Sequence, residues 1–394
     1  VDTPRPTASL DGPLGDGTRL VHAGDEPVVP GTPLRPSPVF AAPYHLGDQP
    51  PGTDGADGYA RPDNPTLRVF ERAVGELDGG DCLSFATGMA AVTAALLAVL
   101  RSGDRVVLPD DGYYSTRLLA RDELARFGVR VDLVPTLGIG DVAARGDLEG
   151  ARLVVLETPS NPRLDVCDIA AVARAAKAAG AVLAVDNTTA TPIGQRPLEL
   201  GADLTVGADT KALTGHSDVL LGHVSTAPTD AGRELHDRIG AWRKHTGSIP
   251  GPFEAWLAHR SMGTLDLRLA RQAANAAALA QVLLGSPAVT GVRWPWLPSD
   301  ASHALAQRQM LRPNGVLSAE LADASAVRDL VRASRFLVAA TSFGGLHTTV
   351  DRRAQWGGDA VPEGFVRFSC GIEDTADLVA DLRSALDTLP AVRG

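Results

Sequence analysis

Between residues 105 and 225 the chain alternates short apolar runs with helix-patterned stretches, and no other feature constrains its fold as strongly. The runs lie at 105–108, 129–134, 153–157, 182–186, 204–206 and 219–225, rich in Val and Leu and too short for helices. Helical spacing at 117–127 and 169–179 separates several of them, and two further helical stretches, 67–77 and 89–100, come first. Joining parallel strands takes a crossover of about a dozen residues or more, usually a helix. The pattern therefore predicts an α/β chain with a doubly wound, mainly parallel sheet, whose ligands sit beyond the C-terminal strand ends. Gly251-Pro252 offers a boundary, followed by an Ala/Leu/Arg-rich helix over about 262–284 and a mixed α+β tail.

The run at 182–186 ends in Asp186, which places a carboxylate at the end of a buried strand. Farther on, Lys211 stands among Ala208, Asp209, Thr210, Thr214, Gly215 and Ser217, with no acid at the fourth position after it. Desolvation lowers an amine's pKa and makes it a usable nucleophile and proton carrier. An enzyme that uses pyridoxal 5′-phosphate needs this pair: an amine to bond the aldehyde and a carboxylate to keep the ring nitrogen protonated. Such an acid–pyridinium contact gains roughly 4 kcal/mol of gross attraction at an effective dielectric near 20. By themselves, Asp186 also suits a helix cap and Lys211 a solvated surface position.

Other segments join them. Tyr59-Ala60-Arg61 precedes Asn64-Pro65-Thr66, Thr87-Gly88-Met89 opens an Ala-rich helical stretch, and Tyr113 follows the first apolar run. Glu157-Thr158-Pro159-Ser160-Asn161-Pro162 closes another run; Ser342-Phe343-Gly344 and Arg367-Phe368-Ser369-Cys370-Gly371 come near the C-terminus. With Val185-Asp186-Asn187-Thr188, and with Thr210-Lys211 before Gly215-His216-Ser217-Asp218, this ordered set resembles the Cys/Met-metabolism family of pyridoxal-phosphate enzymes. The resemblance spans roughly residues 18 to 390. That family includes cystathionine γ-synthase, the cystathionine γ- and β-lyases and methionine γ-lyase.

The resemblance implies a type I pyridoxal-phosphate transferase (aspartate aminotransferase-like) fold with an N-terminal arm, a large cofactor domain and a smaller α+β C-terminal domain. It implies γ-elimination of the cystathionine γ-lyase type, with methionine γ-lyase and cystathionine γ-synthase as the alternatives. Lys211 would carry the cofactor and move protons, and Tyr113 would stack on the ring, with Tyr114 as a second candidate. Asp186 and Thr188 would serve the ring; Thr87, Gly88, Met89 and Thr210 would serve the phosphate. A helix N-terminus suits that anion, although Thr87 is also an ordinary capping hydroxyl. Tyr59 and Arg61 would reach the phosphate of a neighbouring subunit, giving a homotetramer of two site-sharing dimers. Arg367, helped by Ser342 and Asn161, would clamp the substrate α-carboxylate.

Some positions depart from the family's pattern. Ala208 stands where relatives usually have serine, and Asp209 would repel a phosphate dianion unless its side chain turns away. Gly58 and Thr341 stand where cystathionine-using members commonly carry glutamates for the distal ammonium, which favours simpler thioethers. Gly138-Ile139-Gly140-Asp141-Val142-Ala143 fits a dinucleotide fingerprint, but Gly146, Asp147 and Gly150 leave its crossover helix too short.

The formal charge of −10, without long Lys/Arg runs, disfavours nucleic acid as a partner. No apolar stretch approaches the roughly 18 residues of a membrane span, and residues near the beginning lack a signal-peptide pattern, so a cytoplasmic enzyme is expected. Cys82, Cys167 and Cys370 have no pairing or metal-binding spacing and read as reduced, buried thiols. The expected organisation is a flexible tail over 1–17 and a Pro-rich arm to residue 58, including Pro27, Pro50 and Pro51. A cofactor domain over 59–250 and a C-terminal domain over 251–394 follow.

Overall fold

The computed structural model describes residues 14–25, 29–48 and 57–392. Most of the expected tail, and Pro27, Pro50 and Pro51 of the expected arm, lie outside the described residues. The first half of the chain runs α1 (Asp16–His22), α2 (Pro65–Asp78), β1 (Asp81–Phe85), α3 (Gly88–Val99), β2 (Arg105–Pro109), α4 (Tyr114–Leu118), β3 (Arg130–Val134) and α5 (Thr136–Ala144). It continues with β4 (Ala151–Glu157), α6 (Ile169–Ala178), β5 (Val182–Asp186), β6 (Leu204–Gly207), β7 (Gly222–Thr226) and α7 (Asp230–Thr246). Next come α8 (Pro252–Met262), α9 (Leu265–Leu284), β8 (Val289–Arg293), α10 (His303–Gln309) and β9 (Val316–Leu321). The chain closes with α11 (Ala324–Ala333), β10 (Val338–Ala339), β11 (Thr349–Arg352), β12 (Phe365–Ser369) and α12 (Thr375–Leu386).

The seven strands β1 to β7 form one sheet in the order β1-β7-β6-β5-β4-β2-β3. The pairs from β3 through β2, β4 and β5 to β6 are parallel, and β7 runs antiparallel to both β6 and β1. Helices cover both faces: α3 packs with Leu83, Val106, Leu153 and Leu235 on one side, and α6 packs with Val107, Val154 and Leu183 on the other. Burial on both faces explains why these strands read as unbroken apolar runs. In the second sheet, ordered β10-β11-β12-β9-β8, α9 and α12 pack with Leu317, Val366 and Phe368.

Several expectations change. Asp16 and Gly17 are not tail but the start of α1, because Asp16 pairs with Arg19, Arg196 and Arg312 and Leu20 is buried. The expected helix over 262–284 is two helices, broken at Gly263-Thr264. The region 117–127 is α4 followed by a wider π turn and a tight terminal turn rather than one α-helix. The run 219–225 becomes a strand only from Gly222, since Val219 and Leu221 pack instead with α2 and α8. Helix α7, missed because it is strongly charged, is capped by Thr229 Oγ1 on Gly232 N–H and ends at Gly247. Gly138 and Gly140 lie within α5 and form no phosphate-cradling loop.

Candidate active site

Strands β4, β5 and β6 all end on the same edge of the large sheet, and that edge opens into a cleft of about 460 Å³. Its wall includes Thr87, Gly88, Met89, Tyr113, Asn161, Asp186, Thr188, Thr210, Lys211, Ser342 and Arg367. Residues spread over 280 positions are thus brought together by a parallel sheet facing the second sheet's loops.

Lys211 sits in the turn after β6. Arg268 of α9 braces that turn by donating to the carbonyls of Ala212 (2.6 Å) and Leu213 (3.1 Å), and Gly215 closes it at φ +68°. A Cβ at Gly215 would lie 1.9 Å from Arg268 Nη1, so only glycine leaves room for the brace. Lys211 Nζ donates to Ser342 Oγ at 2.9 Å and lies 5.4 Å from the Phe343 ring centre. Burial, reinforced by Arg367, pushes its pKa down to about 8.

Asp186 ends β5 directly opposite Glu157 at the end of β4. Burial raises the pKa of both carboxyls, and their proximity adds to the rise at Glu157. Asp186 Oδ1 accepts the Thr188 N–H at 2.9 Å, while Thr188 Oγ1 accepts the Ala208 N–H at 2.9 Å. Thr188 therefore ties the acid's strand to the lysine turn. An acid raised by burial and facing a cleft is where a protonated ring nitrogen supplies the missing counter-charge.

The end of the cleft expected to take a phosphate is built from α3. Thr87 Oγ1 caps the Ala90 N–H at 3.0 Å, so its hydroxyl does serve as an N-cap. The first N–H groups of a helix have no intrahelical acceptor. Among the described residues, those of Gly88 and Met89 donate to no acceptor, and both residues line the cleft. Thr210 Oγ1 exchanges hydrogen bonds with the Leu221 backbone, which joins the lysine turn to the segment before β7. These two free N–H groups, the Thr210 hydroxyl, Asp186 and Lys211 fit pyridoxal phosphate. Asp209, the neighbour of concern, turns inward and pairs with His223 at 2.6 Å.

At the opposite end Arg367 is 2 % exposed. It donates to Asn161 Oδ1 (2.5 Å) and the Ser342 carbonyl (2.7 Å) and pairs with Asp351 at 3.3 Å. Among the described residues, its Nε has no acceptor. Ser342 holds a left-handed φ of +73°, a strained backbone state that tends to cluster at functional sites. Tyr113 borders the cleft and also a small apolar cavity shared with Asp186 and Glu157; Tyr114 borders the cleft alone. The two rings meet edge-on, 5.1 Å between centres.

Tyr59 and Arg61 do not line this cleft. Tyr59 is exposed, and Arg61 lies over its ring and donates to the Lys244 carbonyl. Sequence reasoning also missed three residues that hold the site. Glu157 accepts the Tyr113 and Asn161 N–H groups, Arg268 braces the lysine turn, and Arg353 bridges Asp351 and Asp359 at the cleft wall. Their signal was charge within apolar or glycine-rich surroundings, which marks a buried partner without naming it.

The chain matches the family model described as Cys/Met metabolism PLP-dependent enzyme over residues 18–387. It is 51% identical over 378 residues to the Streptomyces coelicolor protein named "Putative cystathionine gamma-lyase", covering 95% of this chain and 94% of that one. Cystathionine gamma-synthase from Mycobacterium tuberculosis is 38% identical over 381 residues, covering 94% and 97%. The structure of apo CalE6, a methionine gamma lyase from Micromonospora echinospora, matches with a TM-score of 0.86 at 36% identity, covering 95% and 99%. Together with the strand order these likenesses establish the type I fold, and the family's cofactor is the one the cleft fits. The chain belongs to the Cys/Met metabolism family of pyridoxal-phosphate-dependent enzymes.

Proposed function

We propose that this enzyme is a carbon–sulfur lyase that performs γ-elimination on a sulfur amino acid, as a cystathionine γ-lyase does, releasing a thiol, 2-oxobutanoate and ammonia. One observation carries the reading: Lys211 Nζ lies 2.9 Å from Ser342 Oγ, beside an arginine that also holds the Ser342 carbonyl. An amino acid bound by its α-carboxylate at Arg367 brings its Cα to the neighbourhood of that amine. The acceptor-free Nε of Arg367 supports this use, since a buried donor without a partner is costly. Bound pyridoxal phosphate supplies an electron-accepting ring that acidifies the substrate's α and β hydrogens. Lys211 Nζ takes the α-proton and later one from Cβ, and Tyr113 Oη delivers a proton to the departing sulfur. Asn161 and Ser342 orient Arg367, Asp186 and Thr188 serve the ring, and Thr87, Gly88, Met89 and Thr210 the phosphate.

Methionine γ-lyase activity is the second reading, favoured by the mouth of the cleft. Thr341, Leu220 and Trp356 line it, and the acids of the described wall, Glu157 and Asp186, stand at the strand ends instead. A charge-assisted hydrogen bond to cystathionine's distal ammonium is worth roughly 1.5–3 kcal/mol, or about one to two decades in affinity. Methionine or homocysteine should therefore compete with cystathionine to within about a hundredfold in kcat/KM. Thr341→Glu should shift preference toward cystathionine. Product analysis with cystathionine, methionine, homocysteine and an activated homoserine ester tests both readings. Cystathionine formed from the ester and cysteine, without 2-oxobutanoate from any substrate, would identify γ-replacement instead. A thousandfold preference for cystathionine would sink the argument from the mouth.

With this reading go a cytoplasmic location and an organisation into an arm to residue 58, a cofactor domain over 59–250 and a C-terminal domain from 251. In that division α8 and the start of α9 pack back on α2, and the rest of α9 joins the second sheet. The assembly is a homotetramer of two dimers, in which Tyr59 and Arg61 serve the neighbour's phosphate. Their position outside their own cleft supports that role.

A further inference from the structure

Asp209 stands between Ala208 and Thr210, both of which line the cleft. Ala208 packs so closely on the start of α3 that a Cβ at Gly88 would lie 2.5 Å from its methyl carbon. The Asp209 backbone is therefore one residue from the free N–H groups of Gly88 and Met89. Its carboxylate is nevertheless 1 % exposed and accepts from His223 Nδ1 at 2.6 Å.

His223 lies on β7, paired in register with Gly207 at the end of β6. Its ring fills the space a side chain at 207 would need: a Cβ there would fall 2.3 Å from His223 Cε1. The other ring nitrogen, Nε2, is 3.2 Å from Asp78 Oδ2 at the end of α2, and that oxygen also accepts from Ser225 Oγ at 2.6 Å. With a carboxylate at each nitrogen, the ring donates from both and is an imidazolium. Burial opposes that charge, but Asp209 and Asp78 outweigh it and push the pKa up to about 10. Among the described residues, Asp78 Oδ1 and Asp209 Oδ2 have no partner. His223 is the group that joins the two acids, and Ser225 holds only Asp78.

We propose that His223 is a positioning residue for phosphate binding: it holds the Asp209 carboxylate inward and so keeps a negative charge out of the cradle formed by Gly88, Met89 and Thr210. Without the imidazolium, the Asp209 carboxylate has no counter-charge where burial already raises its pKa, so remaining ionised in place is costly. Rotation toward the cleft relieves it, because the N–H groups of Gly88 and Met89 are unclaimed donors there. There it competes for the phosphate's donors and repels the dianion. The proposal rests on the reading of that cradle as the phosphate site.

The test uses cofactor-free protein titrated with pyridoxal phosphate, with pyridoxal, which lacks the phosphate, and with inorganic phosphate as competitor. Circular dichroism and thermal melting establish that each variant is folded. His223→Leu should weaken pyridoxal phosphate binding at least tenfold and lower the competition by phosphate, while pyridoxal binding changes less than threefold. Asp209→Asn should stay within threefold of the unaltered protein. The double variant His223→Leu/Asp209→Ala should return to within threefold, a rescue that a merely structural role for the histidine does not give. If His223→Leu does not fold, His223→Gln, which keeps one amide donor but no charge, carries the same comparison. Equal losses for pyridoxal and pyridoxal phosphate, unaltered binding in the single histidine variant, or an unrepaired double variant overturns the proposal. If the unaltered protein binds pyridoxal as tightly as pyridoxal phosphate, the cradle reading itself fails and takes the proposal with it.

Discussion

Lys211 shows how much a residue's chemistry depends on its surroundings. An ordinary lysine is protonated below about pH 10, whereas burial and then Arg367 bring Lys211 to about 8. The sign follows directly: the neutral, nucleophilic amine becomes populated as pH rises through about 8 instead of two to three units higher. Uptake of pyridoxal phosphate by the cofactor-free protein, measured against a free alkylamine, should rise roughly tenfold per pH unit below 8 and level off above it. A profile still climbing at pH 10 contradicts the lowered value. Lys211→Ala should reduce turnover at least about a thousandfold, because in the proposed mechanism nucleophile and proton carrier are the same atom. The sheltered setting of Lys211 among small and hydroxyl-bearing residues was legible in its sequence context. Its lowered pKa was only partly so, because Arg367 lies 156 positions away in the chain and reaches it through the second sheet.

At the scale of the element, the start of α3 illustrates a motif whose two readings are compatible. Thr87 caps the helix in the ordinary way, and that cap leaves the preceding N–H groups of Gly88 and Met89 for an anion. Glycine is required at 88 because Ala208 crowds it, and at 222 because the start of α3 lies against it. Gly88→Ala should cost about 1–3 kcal/mol of overpacking and weaken pyridoxal phosphate binding at least about tenfold, seen by thermal melting and by titration. Unchanged binding in a folded Gly88→Ala protein would count against the α3 cradle. Parallel strands and their helices were readable because burial on both sides leaves plain apolar runs. Helix α7 was not, since 17 residues containing Asp230, Arg233, Glu234, Asp237, Arg238, Arg243 and Lys244 resemble a solvated loop until their narrow buried stripe is known. That stripe includes Leu235 and Ile239, which pack against α3 in the first core.

For the whole molecule the open question is what lies across from Tyr59 and Arg61. Both belong to a segment whose Pro43 bridges Tyr59, and neither reaches its own cleft. If they complete a neighbour's site, mixing inactive Arg61→Ala protein with inactive Lys211→Ala protein should recover up to about a quarter of the activity. One site in each heterodimer then carries both native residues. No recovery after demonstrated subunit exchange would show that each chain completes its own site.

By itself the sequence determined the residue types of the site, their order and the parallel sheet that carries them. Lys211, Asp186, Thr188, Asn161, Ser342 and Arg367 all reach one cleft, as the motifs led one to expect. Tertiary structure decided which charges neutralise one another. The pairing of His223 with Asp209 and Asp78 joins a strand, a turn and a helix end, and the bracing of Ala212 and Leu213 by Arg268 joins a turn to a helix beyond the first sheet. Local pattern reports whether a side chain is buried. The partner of a buried charge is set by strand register and helix packing between segments far apart in the chain, so it is absent from any window of sequence.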